Sequence, residues 1–185
     1  SSANLLSLPD IDFGVVPLHI IVGENDYIDD DKIDLTAMQE NLSSYKGKTS
    51  TSSPSPHEWE NAFGDADVVF CITITSSLSG TYNSAVIAKD IYEHNHTGRK
   101  VYVLDSLSTG PEIALFIEKI AELIKAGFAP DDIYKTLPEY KDKTHLYFSL
   151  ASLNNFAKNG RISPVIAAGI GLLGVRVVGK ASDEV

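Results

Sequence analysis

Residues 67–85 read DVVFCITITSSLSGTYNSA, and this stretch contains the transition that decides the fold. Residues 67–74 form a nearly continuous apolar run rich in β-branched side chains, which predicts a strand buried on both faces. From about residue 80 to residue 93, apolar side chains return at helical spacing and predict a helix. The small polar segment 75–81 is therefore a turn from a buried strand into a helix.

The same order of elements follows once more along the chain. Residues 100–104 (KVYVL) predict a second strand, and the polar residues 105–110 come directly after it. Pro111 then opens a long helix with a wide apolar stripe, which Gly127 ends. Because strands and helices alternate, we expect an α/β fold in which a parallel sheet carries helices on both faces.

The segment before residue 67 contains further predicted elements. Residues 15–22 (VVPLHIIV) predict a strand, and residues 35–42 carry apolar side chains at the spacing of a short helix. The tract 49–56 is rich in hydroxyls and proline, so we expect a loop rather than regular structure. It leads into a helix that Ser55 caps, with Glu58 completing a capping box.

A different region begins after residue 143. A strand is expected over 144–150, followed by a short helix that ends at Gly160, a helix of small residues to about residue 174, and another strand. We therefore expect residues 1–143 to form one α/β domain and residues 144–185 to begin a second α/β domain.

Composition excludes several classes of function. Among 185 residues, 25 are acidic and 15 are basic, so the net charge is −10, and no basic stripe that could bind nucleic acid is present. Cys71 is the single cysteine, which excludes disulfides and thiolate metal clusters. No apolar stretch reaches the roughly 18 residues of a membrane span, and no signal-peptide pattern occurs at the N-terminus. We expect a cytoplasmic protein.

The polar segments 75–81 and 105–110 are the candidate binding sites. In an open parallel sheet, ligands collect beyond the carboxyl ends of the strands, where loops lead into helix N-termini. A helix N-terminus offers unpaired N–H groups and a partial positive charge, so it binds an anion without lysine or arginine. Serine and threonine hydroxyls add donors, and Gly80 permits close approach of the backbone. The alternative is that these hydroxyls only cap the helix.

Other chemistries find little support in the sequence. The segment 75–81 matches neither the phosphate-binding P-loop nor the dinucleotide fingerprint, and the chain contains no G-x-S-x-G nucleophile elbow. Residues 43–46 match S-x-x-K only at the end of a predicted surface helix. The histidines and the acidic run 29–31 lack the spacing of a zinc or calcium site. We therefore expect no metal and no cofactor.

Four segments together resemble the DegV family, whose members bind fatty acids and include the FakB subunits of fatty acid kinase. The most specific segment is SSLSGTYNSA at 76–85, which is similar to the family motif S-x-L-S-G-T-Y-x-S-A. Supporting matches are TSSPS at 51–55 against T-S-Q-P-S, LDS at 104–106 against V-x-D-S, and GRIS at 160–163 against G-R-[IV]-S. The four matches occur in the family's order.

The resemblance implies a role for individual residues. Thr51 and Ser79 take the positions that hold the ligand carboxylate in the family. The supporting polar cradle would consist of Ser52, Ser76, Gly80, Thr81, Asp105 and Ser106. The acyl tail of a long-chain, palmitate-like fatty acid would lie in an apolar tunnel between two domains, and Ile166, Ile170, Leu172 and Leu173 are candidates to line it. Arg161 would stabilise the domain junction or contact a partner.

By the same resemblance, the protein would not be an enzyme. It would shield a fatty acid and present the carboxylate to a separate kinase, which makes acyl phosphate. Two alternatives stay open: a serine-dependent hydrolase or transferase that uses Ser79 as nucleophile, which needs a general base, and a structural or regulatory interaction fragment.

The sequence also departs from the family pattern. The family opens with a strand that ends in Asp-Ser, whereas this sequence begins at the residues expected just after that strand. The later half of the family, with a histidine motif near the carboxylate, would lie beyond Val185. Ser53 stands where the family usually has glutamine, which predicts an altered carboxylate network or ligand choice.

Overall fold

The chain folds into two compact units in a computed structural model. One unit comprises Ser1–Val16, Ser53–Leu146 and Ala181–Val185, and the other comprises Pro17–Ser52 and Tyr147–Lys180. The second unit therefore combines a segment from before the expected boundary near residue 143 with a segment from after it. The structure describes residues 2–150, 153–160, 163, 169 and 177–181.

Helices and strands alternate through most of the described chain. In order, the elements are a 3-10 helix (Ser2–Leu5), β1 (His19–Val22), β2 (Asn25–Ile28), α1 (Leu35–Ser44), β3 (Thr49–Ser52), α2 (Pro56–Phe63), β4 (Val68–Thr73), α3 (Thr81–Asn95), β5 (Lys100–Asp105), α4 (Pro111–Lys125), α5 (Pro130–Lys141), β6 (Tyr147–Leu150), α6 (Asn154–Lys158) and β7 (Val177–Lys180).

The parallel pair β4–β5 is the centre of the first unit. Val68 lies opposite Lys100 and Thr73 opposite Asp105, so both strands end at the same edge. Alternate side chains point to opposite faces of a strand. On one face, buried residues of β4 and β5 pack against α2 and α3, and on the other face residues of the same strands pack against α4 and α5. The predicted α/β fold with helices on both faces is confirmed.

Local sequence signals explain where the helices of this unit begin. The predicted capping box of α2 is present: the Ser55 backbone N–H donates to Glu58 Oε2 at 2.7 Å, and the Glu58 N–H donates to Ser55 Oγ at 3.3 Å. The helix α5 was not expected from the sequence, although its first turn carries a local signal. Pro130 occupies the first turn together with Asp131, a pattern that favours helix initiation.

The second unit contains two antiparallel sheets. β1 lies between β2 and β3, and β6 pairs with β7. The expectation of a loop over 49–56 was wrong for its first half, since Thr49–Ser52 forms β3. In this strand Thr51 pairs with Ile20 and Ser52 with His19. The partner strand supplies the backbone hydrogen bonds, and Pro54, which cannot donate, comes only after the strand has ended.

Cys71 is a core residue of β4. It is 4% exposed and belongs to the cluster that β4 forms with α2 and α3. Burial raises the pKa of the thiol to about 12, because the thiolate would lose its hydration. Cys71 therefore serves as a small apolar side chain of the core, in line with the buried strand that the sequence predicts over 67–74.

Candidate anion-binding site

Two polar turns meet at the carboxyl edge of the β4–β5 pair. The Thr75 N–H donates to the Ser108 carbonyl at 2.9 Å. The Ser76 N–H donates to both carboxylate oxygens of Asp105, at 3.2 Å each. These hydrogen bonds join the two candidate segments, 75–81 and 105–110. We call the joined turns the rim.

Asp105 organises this rim. Besides the Ser76 N–H, its carboxylate accepts the Leu107 N–H at 3.1 Å. Leu107 has a φ of 51°, a left-handed conformation that is uncommon for leucine. The hydrogen bonds to Asp105 help to hold the tight turn over 105–108. The Ser76 N–H already donates to Asp105, and the negative charge of that carboxylate repels an anion. The start of α3 therefore offers an anion more favourable hydrogen-bond donors than this part of the rim.

Like α4, which follows the other polar turn, α3 begins without a side-chain cap from the described residues. Its N-cap is Gly80. By contrast, Asp34 caps α1 and Ser55 caps α2. Ser79 accepts the Thr81 N–H at 3.3 Å, and the hydroxyls of Ser79 and Thr81 share a hydrogen bond at 2.7 Å. The first-turn N–H groups beyond Thr81 have no intrahelical acceptor, as at any helix start.

The segment after β3 is anchored to this helix start. Ser84 Oγ in α3 donates to the Pro54 carbonyl at 2.5 Å. A Cβ atom added to Gly80 would lie 3.1 Å from Ser53 Oγ, so Ser53 sits directly against the N-cap. In the sequence Ser53 stands out only as a departure from the family's glutamine, and its position beside Gly80 makes it a further candidate site residue.

The other predicted site residues lie in different surroundings. Thr51 and Ser52 are exposed on β3, in the second unit. Thr81 is 5% exposed and Ser106 is fully buried. The Ser106 hydroxyl donates to the Ser108 carbonyl at 3.1 Å, so it supports the turn from within. Outside the described residues lie Arg161, Ile166, Ile170, Leu172 and Leu173.

Sequence reasoning missed a buried polar group behind the rim. Glu112, in the first turn of α4, is 2% exposed. Its carboxylate accepts hydrogen bonds from Ser108 Oγ and Thr144 Oγ1, each at 2.5 Å. The available signal was an acidic residue in the first turn of a helix, four positions after a serine. The contact with Thr144 has no local signal, because 32 positions separate the two residues.

An apolar cavity of about 270 Å³ lies elsewhere in the first unit, and its lining contains none of the described site residues. It is bordered by β4, α2, α4 and the N-terminal segment, including Phe13, Trp59 and Ile120. In the described part of the chain, no group of three or more His, Cys, Asp or Glu side chains could hold a metal ion, and no helix has the length and apolar character needed to cross a membrane.

Comparisons with known proteins show one family throughout. The family model described as "Uncharacterised protein, DegV family" matches residues 3–185. A DegV domain-containing protein of Streptococcus pneumoniae is 40% identical over 171 residues, which cover 92% of this chain and 61% of the relative. The chain thus spans about three fifths of the length of that relative.

The solved structures that are similar to the chain include two that are loaded with a fatty acid. The crystal structure of a DegV family protein from Eubacterium eligens, loaded with heptadecanoic acid, has a TM-score of 0.93 and 39% identity, covering 99% of this chain and 66% of that one. The fatty acid kinase (Fak) B3 protein of Streptococcus pneumoniae, loaded with linoleic acid, has a TM-score of 0.87 and 40% identity, covering 91% of this chain and 60% of that one.

Proposed function

Since the chain belongs to the DegV family, we propose that it binds a long-chain fatty acid whose carboxylate lies at the start of α3. Ser79 and Thr51 contribute hydroxyl donors, and the first-turn N–H groups of α3 contribute backbone donors. The acyl tail lies in an apolar tunnel. The fatty acids in the two similar structures support the ligand class.

The start of α3 is the observation that carries this proposal. A helix N-terminus without a side-chain cap keeps its N–H donors for a ligand, and its partial positive charge favours a carboxylate. The anchored Ser53–Pro54 segment brings a further hydroxyl to the same place. The arrangement needs no cationic side chain, which suits a chain with a net charge of −10.

The tail supplies most of the affinity. Burial of each methylene contributes about 0.8 kcal/mol, so a chain of sixteen to eighteen carbons contributes on the order of 10 kcal/mol before ordering costs. The hydroxyl and N–H donors then fix which end of the ligand faces the turn. Specificity for a carboxylate over an alcohol or amide comes from this end.

We further propose that the protein is a non-catalytic subunit. It presents the carboxylate to a fatty acid kinase in the cytoplasm, as the similarity to the Fak B3 protein suggests. Catalysis by Ser79 would need a general base, and the Ser79 hydroxyl bonds to Thr81 rather than to any histidine of the described chain. We also propose that residues 144–185 begin a second α/β domain.

Site variants test the carboxylate assignment. We expect Ser79→Ala and Thr51→Val each to weaken palmitate binding about tenfold to a hundredfold, because each loses a hydrogen bond to a charged group worth about 1.5–3 kcal/mol. The measurement is calorimetric titration of delipidated protein, together with native mass spectrometry of co-purified lipid. Ser43→Ala on α1 is the matched control, because the Ser43 hydroxyl bonds only locally to the Glu40 carbonyl. Wild-type affinity in both site variants would refute the assignment.

A further inference from the structure

We propose that Glu112 is a positioning residue for the carboxylate site: its carboxylate holds Ser108, and Ser108 holds the ligand-facing turn that begins at Thr75. The inference rests on the proposed function, because it assigns a buried residue to the site that binds the fatty acid. Glu112 itself does not touch the ligand.

The burial of Glu112 requires a specific set of partners. A carboxyl group that is 2% exposed cannot rely on water, so its oxygens need hydrogen-bond donors within the protein. One oxygen accepts from Ser108 Oγ and the other accepts from Thr144 Oγ1. Each oxygen therefore accepts from a separate hydroxyl: Ser108 lies toward the site, and Thr144 lies in the connection after α5.

Ser108 connects Glu112 to the rim through three atoms. Its hydroxyl donates to Glu112, its carbonyl accepts the Thr75 N–H at 2.9 Å, and its own N–H donates to Ser106 Oγ at 3.2 Å. Ser108 is 1% exposed, so no water replaces a lost partner easily. Removal of the Glu112 acceptor therefore frees the Ser108 side chain to turn and shifts the carbonyl that orients Thr75.

The hydroxyls of Ser108 and Thr144 differ in the hydrogen-bond acceptors that remain when the Glu112 carboxylate is removed. Thr144 Oγ1 also lies 3.3 Å from the Lys141 carbonyl, which gives its proton a second acceptor. Ser108 Oγ has Glu112 as its only acceptor among the described residues. In Glu112→Gln, the amide oxygen can serve Ser108 while the amide nitrogen donates to Thr144, whose own proton goes to Lys141. The glutamine variant therefore keeps the link to the site.

Four single variants and one double variant of the whole chain test this role by palmitate titration. We expect Glu112→Ala and Ser108→Ala each to weaken binding about tenfold, and their combination to weaken it no further, since both break the same link. Glu112→Gln should bind within about threefold of wild type. Thr144→Val, which removes the hydroxyl on the far side of Glu112, should also bind within about threefold while the protein loses stability.

The pattern separates positioning from a general loss of stability. If Glu112 only stabilises the fold, affinity will follow the unfolding midpoint, and Thr144→Val will weaken binding as much as Ser108→Ala. That result, or wild-type affinity in a folded Glu112→Ala protein, would overturn the inference.

A readout without ligand distinguishes failure of the inference from failure of the proposed function. Amide hydrogen exchange at Thr75 and Ser76 should become faster in Glu112→Ala and Ser108→Ala but not in Thr144→Val. If wild-type protein binds no palmitate and these amides still respond in this pattern, the proposed function fails while the positioning role stands. Unchanged exchange at Thr75 in Glu112→Ala contradicts the positioning role.

Discussion

Substitution of Gly80 by alanine tests the site without disturbing the fold. Gly80 has φ −70° and ψ 0°, a conformation that alanine adopts freely, so the backbone need not change. The added methyl group would lie 3.1 Å from Ser53 Oγ, which is too close for an unstrained contact. Ser53 must therefore turn or move by a few tenths of an ångström, and the new methyl also narrows access to the start of α3.

The effect on stability should be small. Alanine is a poorer N-cap than glycine by up to about 1 kcal/mol, whereas the lower entropy of the unfolded chain returns about 0.4–1 kcal/mol. These terms nearly offset, so we expect the free energy of unfolding to change by less than about 1 kcal/mol. Palmitate binding should weaken about fivefold to tenfold, because a displaced hydroxyl costs roughly one hydrogen bond.

A double-mutant cycle with Ser53→Ala provides the assay. Urea unfolding measures stability, and titration with palmitate measures affinity for wild type, both single variants and the double variant. Because Ser53→Ala removes the oxygen that meets the new methyl group, Gly80→Ala should cost less affinity in that background. An equal cost in both backgrounds would refute the steric argument, as would a loss of stability above about 2 kcal/mol.

Two further predictions concern the first unit as a whole. Leu137 of α5 is fully buried in the core cluster that includes residues of α4. Leu137→Ala should therefore lower the free energy of unfolding by about 2–5 kcal/mol in a urea titration. A change below about 1 kcal/mol would contradict this packing. Burial raises the pKa of Glu93, but hydrogen bonds from Lys89 and the Val101 N–H outweigh it and hold that pKa below the ordinary value of 4.5. Glu93 therefore stabilises the fold above about pH 4.5 and loses this contribution as the pH falls through its folded-state pKa. Glu93→Gln should cost about 1 kcal/mol at pH 7 and progressively less as the pH falls below about 4.5. A pH-independent difference between the two proteins would contradict this reasoning.

Local patterns were sufficient to predict the elements of the first unit around the site, although not α5. The buried strand β4, the turn over 75–81 and the helix α3 follow from one continuous change of periodicity. The capping box of α2 is also a local signal, since Ser55 and Glu58 lie three positions apart. The hydroxyl-rich turns were predicted as candidate sites because the ends of parallel strands share an edge.

Elements that depend on distant partners could not be predicted in this way. The tract 49–52 has the composition of a loop and becomes β3 only because β1 pairs with it. The burial of Glu112 could not be predicted from its local signal alone, because its partner Thr144 lies 32 positions away, beyond the end of α5. The sequence also does not indicate that the Ser76 N–H donates to Asp105. Because of this hydrogen bond, we expect the ligand closer to the start of α3.

Because the thiol of Cys71 is buried, the rate at which a thiol-reactive probe labels it measures opening of the core. With one cysteine in the sequence, any thiol-reactive probe has a single target. At neutral pH a thiol with a pKa of about 12 contains almost no thiolate while the core is closed. Labelling therefore requires openings in which β4 separates from the helices packed on it. If a bound fatty acid slows labelling, the ratio of the two rates measures how much ligand binding stabilises the core.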